Sequence, residues 1–369
     1  MLAVPGTPPA KKKAPAKKPA TTAKKAPAKK RTTTRTRASR YSPWKEPSFA
    51  DSTIGDNIDG EDLTVRRAAV DALGPFNGTV VVSDPYTGRV LSIVNQKLAY
   101  KSGFQPCSTF KVLVGLMALS EGIIERETPI RLYGRTSMNL TQAIAKSNNP
   151  FFESLGRKLG FDKVHYYARL FGLGERATLN RELEQPGTLP GEAPKHGGVG
   201  MMCSFGEGIL LSPLQYAAAL GAIANGGTLY YLQHPQNSDD STGFQPRVKR
   251  HLDISPWIDE IKPGLTGTVE YGTGKRAAFD GADPILGKTG TCTDRQSPTH
   301  LGWFGSFNEV ERNRLVVVVL LTGGRPVNGP VAAGVAGQVY KNLSDQQYFA
   351  QDRKSSPVAL VSPDHCCRQ

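Results

Sequence analysis

The run RLVVVVLLTGG, residues 314–324, constrains this chain more than any other stretch. Its seven consecutive Val and Leu residues are far short of the ~18 apolar residues of a membrane span, and they lack the alternation that would turn one face to water. Such a strand is expected to be buried on both faces. Just upstream, ILGKTGTC and HLGWFGSFN read as two more strands. Others lie at the opposite end of the body: GTVVVSDPYTGRVLSIVNQ reads as a β-hairpin whose arms are Thr79 to Ser83 and Arg89 to Val94, around the turn residues 84–88. A helix precedes it, with Leu63, Val65, Ala68, Ala69 and Leu73 at helical spacing and Gly74-Pro75 as its stop. Between the strand groups lie helical patterns, notably LTQAIAKSNNPFFESLGRKLG and SPLQYAAALGAIANGG. Strands from both ends enclosing a helical middle predict an α/β (α+β) fold: a central, mostly antiparallel sheet flanked by helices, with an inserted all-helical subdomain.

Charge divides the chain differently. Thirteen of the 46 Lys and Arg residues, and none of the 32 acids, fall in residues 1–40, which leaves 33 basic and 32 acidic residues beyond. This Lys/Ala/Pro/Thr stretch has no apolar residues with which to build a core, so ordering it would cost entropy without return. Two readings stand for it: a polybasic arm for an anionic polymer (nucleic acid, teichoic acid or a lipid surface), and a soluble, self-repelling linker. The expected organisation is a basic tail and linker over 1–60, a folded domain over 61–345 and a polar tail over 346–369.

The five cysteines are too few and scattered for a disulfide framework, so Cys107, Cys203 and Cys292 read as small core hydrophobes. The six histidines show no metal-ligand spacing and read as solvated or packed rings. Trp303 reads as sheet packing, RRAAV as a charged helix face, and QHPQNSDDSTGFQPRVKRHLD as a mobile surface loop.

The chemistry starts at GFQPCSTFKVLVGLMALSEG. Ser108 and Lys111, three apart on the first turn of an apolar helix, are neighbours whose Cβ atoms lie ~5–6 Å apart. A serine hydroxyl needs a base before it can attack. A lysine can be that base only when neutral, which burial at the head of Val112–Leu119 achieves by lowering its pKa. The helix N-terminus also offers N–H groups to a developing oxyanion. Further along stand SNN, a Ser-x-Asn beginning at Ser147 within a helical stretch, and KTGT, beginning at Lys288 on an expected strand.

Ser-x-x-Lys, Ser-x-Asn and Lys-Thr-Gly in this order resemble the active site of penicillin-binding transpeptidases and serine β-lactamases. The flanks are similar too: QPCSTFKVLVGLMALSEG to the family's nucleophile helix, GVGMMCSFGEGILLSPLQYAAALGAIANGG to its long helix before the final strands, and ILGKTGTC with HLGWFGSFN to its paired active-site strands. The likeness covers residues 61–345. It implies a β-lactamase/transpeptidase-like fold and no metal or organic cofactor. It implies Ser108 as the acylated nucleophile, Lys111 as its base, Ser147 as proton relay to the leaving amine and Asn149 as a hydrogen-bond partner of the substrate amide. Lys288 would hold the site's positive potential, Thr289 would bind the substrate's terminal carboxylate, Gly290 would let the substrate backbone pack close, and the Ser108 and Thr291 N–H groups would form the oxyanion hole. The implied substrates are peptidoglycan stem peptides ending in D-Ala-D-Ala, with β-lactams as covalent inhibitors or substrates.

The sequence departs from the family pattern at Cys107, where glycine or alanine is usual, and in the short interval between Ser108 and Ser147, which implies a trimmed helical subdomain and a more open cleft. Three functions fit: a D,D-transpeptidase or D,D-carboxypeptidase, a class D-like serine β-lactamase, or a β-lactam sensor that acylates once. STFK and EGII resemble class D β-lactamases, but those typically carry an apolar residue where Asn149 stands. Glu182 and Glu184 mimic a deacylating glutamate, but GTLPGE after them resembles a transpeptidase loop. The chemistry implies the extracytoplasmic face of the cell envelope, yet no signal or transmembrane segment is visible. The expectation is that the true start lies upstream, with the basic tail as an extracytoplasmic linker behind an anchor.

Overall fold

The computed structural model describes residues 44–350, except 102, 133, 135, 180–182, 280–283 and 295–297. The expectations for the basic tail, for the polar tail beyond residue 350 and for Glu182 lie outside the described residues.

Helix α1 (Leu63–Leu73) starts where Asp62 accepts hydrogen bonds from the N–H groups of Thr64 and Val65, and it ends at Gly74. The hairpin follows as β1 (Gly78–Ser83) and β2 (Val90–Val94). After the single turn α2 (Gln96–Ala99), a 3₁₀ turn over Cys107–Phe110 runs directly into α3 (Lys111–Ser120). A minimal hairpin, β3 (Ile130–Arg131) and β4 (Ser137–Met138), leads to α4 (Leu140–Ala145), α5 (Asn149–Leu159), α6 (Phe161–Leu170), α7 (Gly198–Phe205) and α8 (Pro213–Ala224). Next come β5 (Thr228–Tyr230), α9 (Ser238–Thr242), β6 (Val248–His251) and α10 (Ser255–Glu270). The chain closes its sheet with β7 (Ile285–Asp294), β8 (Thr299–Asn308) and β9 (Val316–Gly323), then lays α11 (Gly329–Asp345) across it.

The five-stranded sheet has the order β2-β1-β9-β8-β7, and each of its pairings is antiparallel. The all-apolar strand is buried along its whole length, as predicted, and it sits in the middle of the sheet. Alternate residues serve two cores. Val316, Val318 and Leu320 pack with α3, α5 and α8 on one face; Val317, Val319 and Leu321 pack with α1 and α11 on the other. Each such side chain contributes ~1.5–3 kcal/mol on burial, so the strand anchors both layers. No helix among the described residues is long and apolar enough to cross a membrane.

Four details differ from the sequence reading. LTQAIAKSNNPFFESLGRKLG is two helices, because Pro150 has no N–H to continue the first and Asn148 instead caps the second by accepting from Phe151 N. The stretch read as a surface loop holds α9 and β6, the latter paired antiparallel with β5. Arg66, read as part of a charged face, is buried and paired with Asp56. Residues 44–60 pack on the body: Trp44 lies on His300, Ser52 Oγ donates to Phe76 O, and Asp56 accepts from the N–H groups of Asn95 and Gln96. Trp303 is fully buried in the core, as read.

Candidate active site

The turn that carries Ser108, the expected nucleophile, is fixed by its own backbone. Thr109 N and Oγ1 both donate to Pro106 O, at 3.1 and 2.7 Å, and Trp303 Nε1 donates to Gln105 O at 3.0 Å. Just upstream, Phe104 and Leu211 exchange both main-chain hydrogen bonds. The residues after Lys111, Val112 through Leu119, are all buried, so the head of α3 lies inside the core and Lys111 itself is 0% exposed. Ser108 is half-buried, and its hydroxyl makes no hydrogen bond among the described residues.

Lys111 Nζ donates to Ser147 O at 2.8 Å, to Ser147 Oγ at 3.3 Å and, in a short contact, to Asn149 Oδ1. Lys288 Nζ, 0% exposed on β7, donates to the same Ser147 Oγ at 2.8 Å and to Thr289 O at 3.0 Å. One serine hydroxyl therefore stands between two buried amines. The break between α4 and α5 puts it there: Ser147 has φ 54°, a left-handed conformation uncommon outside glycine, at the corner where the two helices meet. The three motifs, distant in sequence, converge on Ser147.

Neither lysine has a carboxylate within ion-pair distance among the described residues. Burial therefore pushes the Lys111 ammonium well below the usual lysine range, the Lys288 charge adds to this, and Glu153 opposes it. Burial lowers Lys288 to about 7. The pair can hold one proton where ordinary lysines would hold two, which is the state a lysine base requires.

The substrate-facing assignments come out more varied. Thr289 is nearly buried, and its hydroxyl lies 2.5 Å from Thr273 Oγ1. Thr291 is exposed, and its Oγ1 accepts from Gly329 N at 2.8 Å. At Gly290 a Cβ would sit 2.9 Å from Pro106 O and 3.0 Å from Thr109 Cγ2, so the close approach this glycine permits is to the chain's own nucleophile turn. Thr273 was absent from the sequence reading. Its N–H donates to Ala145 O at 3.2 Å, which ties the turn after α10 to the end of α4, and the signal for it is the YGTG turn between a helix and the KTGT strand.

Three further residues need correction or placement. Cys107 and Cys292 are not core fillers: they form a disulfide, with Cα atoms 5.7 Å apart and a sequence separation of 185. Only the sheet brings them together, by laying β7 against the nucleophile turn. Glu184 is buried and accepts from Ala177 N, Thr178 N, Thr178 Oγ1 and Ser212 Oγ, so its carboxylate holds its own loop against the N-cap of α8.

Comparison with known proteins extends this picture. The model of the penicillin binding protein transpeptidase domain matches residues 78–344. Stage V sporulation protein D of Bacillus subtilis is 28% identical over 79% of this chain, which spans 53% of that protein; peptidoglycan D,D-transpeptidase PbpA of Mycobacterium tuberculosis is 26% identical over 73%, spanning 68%. The chain thus spans about half to two thirds of the length of these relatives. Two solved structures share the fold at 22% identity and a TM-score of 0.64. Pseudomonas aeruginosa PBP2 aligns with 78% of this chain and 77% of its own, and the transpeptidase domain of Burkholderia pseudomallei penicillin-binding protein 3 with 77% and 94%. The matched region begins at the first strand of the sheet, ends in the last helix and contains every residue gathered around Ser147. The chain belongs to the penicillin-binding protein transpeptidase family.

Proposed function

We propose that this chain is a serine D,D-transpeptidase of peptidoglycan synthesis, which cleaves stem peptides ending in D-Ala-D-Ala through an acyl-enzyme on Ser108. The observation that carries this reading is the single hydroxyl of Ser147 held between Lys111 and Lys288, two buried amines with no carboxylate within ion-pair distance among the described residues, with Ser108 three residues before Lys111. When neutral, Lys111 keeps two N–H groups for Ser147 O and Asn149 Oδ1, and a lone pair remains for the Ser108 proton. Ser108 Oγ then attacks the penultimate carbonyl, and the N–H groups of Ser108 and Thr291 receive the oxyanion. Collapse expels the terminal D-alanine, whose amine takes the proton from Lys111 by way of Ser147. An acceptor amine, or water in a carboxypeptidase, releases the acyl group. Lys288 supplies positive potential, and Thr289, backed by Thr273, receives the terminal carboxylate.

The relatives named as peptidoglycan D,D-transpeptidases support placing this chemistry at the cell envelope, and the Cys107–Cys292 disulfide supports an oxidising compartment. We assign the basic tail to an anionic polymer of that environment, which a tail-deletion series in polymer-binding assays tests. For the catalytic reading, intact-protein mass spectrometry after addition of a penicillin is the test. A long-lived adduct on wild type and none on Ser108→Ala is expected. Rapid loss of the adduct with consumption of drug would make the protein a β-lactamase, and an equal adduct on the variant would remove Ser108 from the mechanism.

A further inference from the structure

The disulfide joins the residue before the nucleophile to the residue after Thr291, so each half of the oxyanion hole proposed above is one peptide unit away from a bonded sulfur. Cys107 is fully buried and has φ 53°, a left-handed conformation that a non-glycine residue rarely adopts without external support. Cys292 is half-buried, between exposed Thr291 and Thr293, so one sulfur of the pair lies near solvent. Few other ties cross between the turn and β7. Gly290 packs against Pro106 O and Thr109, a contact without directional bonds, and the hydrogen bond from Trp303 to Gln105 comes from β8.

From this geometry we propose that Cys107 and Cys292 are positioning residues for the acylation step: their disulfide holds the Ser108 and Thr291 N–H groups in register, and the acylation rate therefore follows the thiol–disulfide state of this pair. The proposal rests on the oxyanion assignment above. A dithiol reductant acts by attack of one thiolate on Cys292 Sγ, which breaks the Cys107–Cys292 bond and forms a mixed disulfide. Its second thiol then displaces Cys292. The protein gains two electrons and two protons as two thiols, and the reductant leaves as a disulfide. With the bond open, the strained backbone at Cys107 can relax and separate the two donors. A displacement of ~1 Å costs on the order of 10²-fold in rate, and loss of one oxyanion donor ~10²–10³-fold.

The experiment measures acylation of the full chain by a fluorescent penicillin, resolved into non-covalent affinity and the first-order acylation step. It compares the oxidised chain, the chain reduced with dithiothreitol and desalted, and the chain reoxidised afterwards. Peptide mapping after alkylation reports the state of Cys107 and Cys292. The expected result is a first-order step at least ~10-fold slower after reduction, unchanged non-covalent affinity and full recovery on reoxidation. The double variant Cys107→Ala with Cys292→Ser, in which alanine keeps the unfavourable positive φ but lacks the bond, should acylate as slowly as the reduced chain and ignore dithiothreitol. Equal acylation steps in oxidised and reduced wild type would overturn the proposal and leave the bond a structural staple, even if thermal stability falls on reduction. Absence of acylation in the oxidised chain would instead overturn the Ser108 reading itself.

Discussion

Two buried ionic clusters lie in this molecule, and they are built on opposite terms. Around Ser147, Lys111 and Lys288 are as deeply buried as any residue in the core, and among the described residues their amines hydrogen-bond to neutral oxygens: hydroxyls, carbonyls and an amide. Beside α1, Arg66 pairs with Asp56 at 2.7 Å and lies 3.7 Å from Glu61, while His234 Nε2 meets Glu61 Oε1 at 2.8 Å. Backbone groups complete the second cluster, with Ile93 N donating to Glu61 and Arg66 donating to Ile93 O. In it the Arg66 guanidinium faces carboxylates of opposite charge, and it fastens residues 56–61 to α1, β2 and the loop at His234. The first cluster withholds the counter-charge, so burial acts on the amines themselves and moves their protonation toward the range where they can exchange protons. Equal burial with unequal compensation separates a reactive site from a fastening.

The sharpest way to break that contrast is Lys111→Met. Loss of the base should slow penicillin acylation by ~10²–10⁴-fold. Thermal stability should hold or rise, because an apolar isostere removes an uncompensated buried amine. A large drop in melting temperature would make Lys111 structural.

Arg66→Met is the converse. It strands Asp56 and Glu61 and should cost ~3–5 kcal/mol in urea unfolding. The acylation rate per folded molecule should not change. Slowed acylation in the folded fraction would mean that the two clusters are coupled.

A smaller effect is expected at Gly290→Ala. The new Cβ must push Pro106 O and Thr109 away, at ~1–3 kcal/mol, and acylation should slow because the nucleophile turn shifts with them. Unchanged kinetics would show that the turn and β7 move as one body.

The last test uses pH. Lys288 has a folded pKa of about 7 against an unfolded value of 10.5, so between these limits the unfolded chain binds more protons and stability rises with pH. The slope is at most ~1.4 kcal/mol per pH unit for one proton. Acylation should fall as the pH rises through about 7, where folded Lys288 loses its charge. Unfolding curves of wild type and Lys288→Met at a series of pH values isolate the slope, and identical pH dependence in the two would remove Lys288 as its source.

Much of the architecture was legible because it rests on local patterns. Seven consecutive Val and Leu residues call for burial on both faces, and β9 is buried along its whole length. Asp62, Gly74 and the periodic apolar residues bound α1 closely. The motif residues were legible because Ser-x-x-Lys on a helix head and Lys-Thr-Gly on a strand each carry chemistry in their spacing. What stayed hidden depended on non-local partners. Arg66 looks like a surface charge until Asp56 and Glu61 close around it. Ser147 reads as helical until Pro150 and the Asn148 cap break the helix. Thr273 acquires a role only when its turn meets Thr289.

The sequence alone thus determined the layered sheet, the order of the elements and the motif residues on which the proposed chemistry rests, since hydrophobic periodicity and side-chain chemistry are properties of short segments. Only the tertiary structure decided that both lysines would meet at one hydroxyl without a counter-ion, and that Cys107 would be bonded to Cys292. Those facts depend on which segments the sheet lays side by side, and segments 141 and 185 residues apart become neighbours only once the cores on both faces have packed.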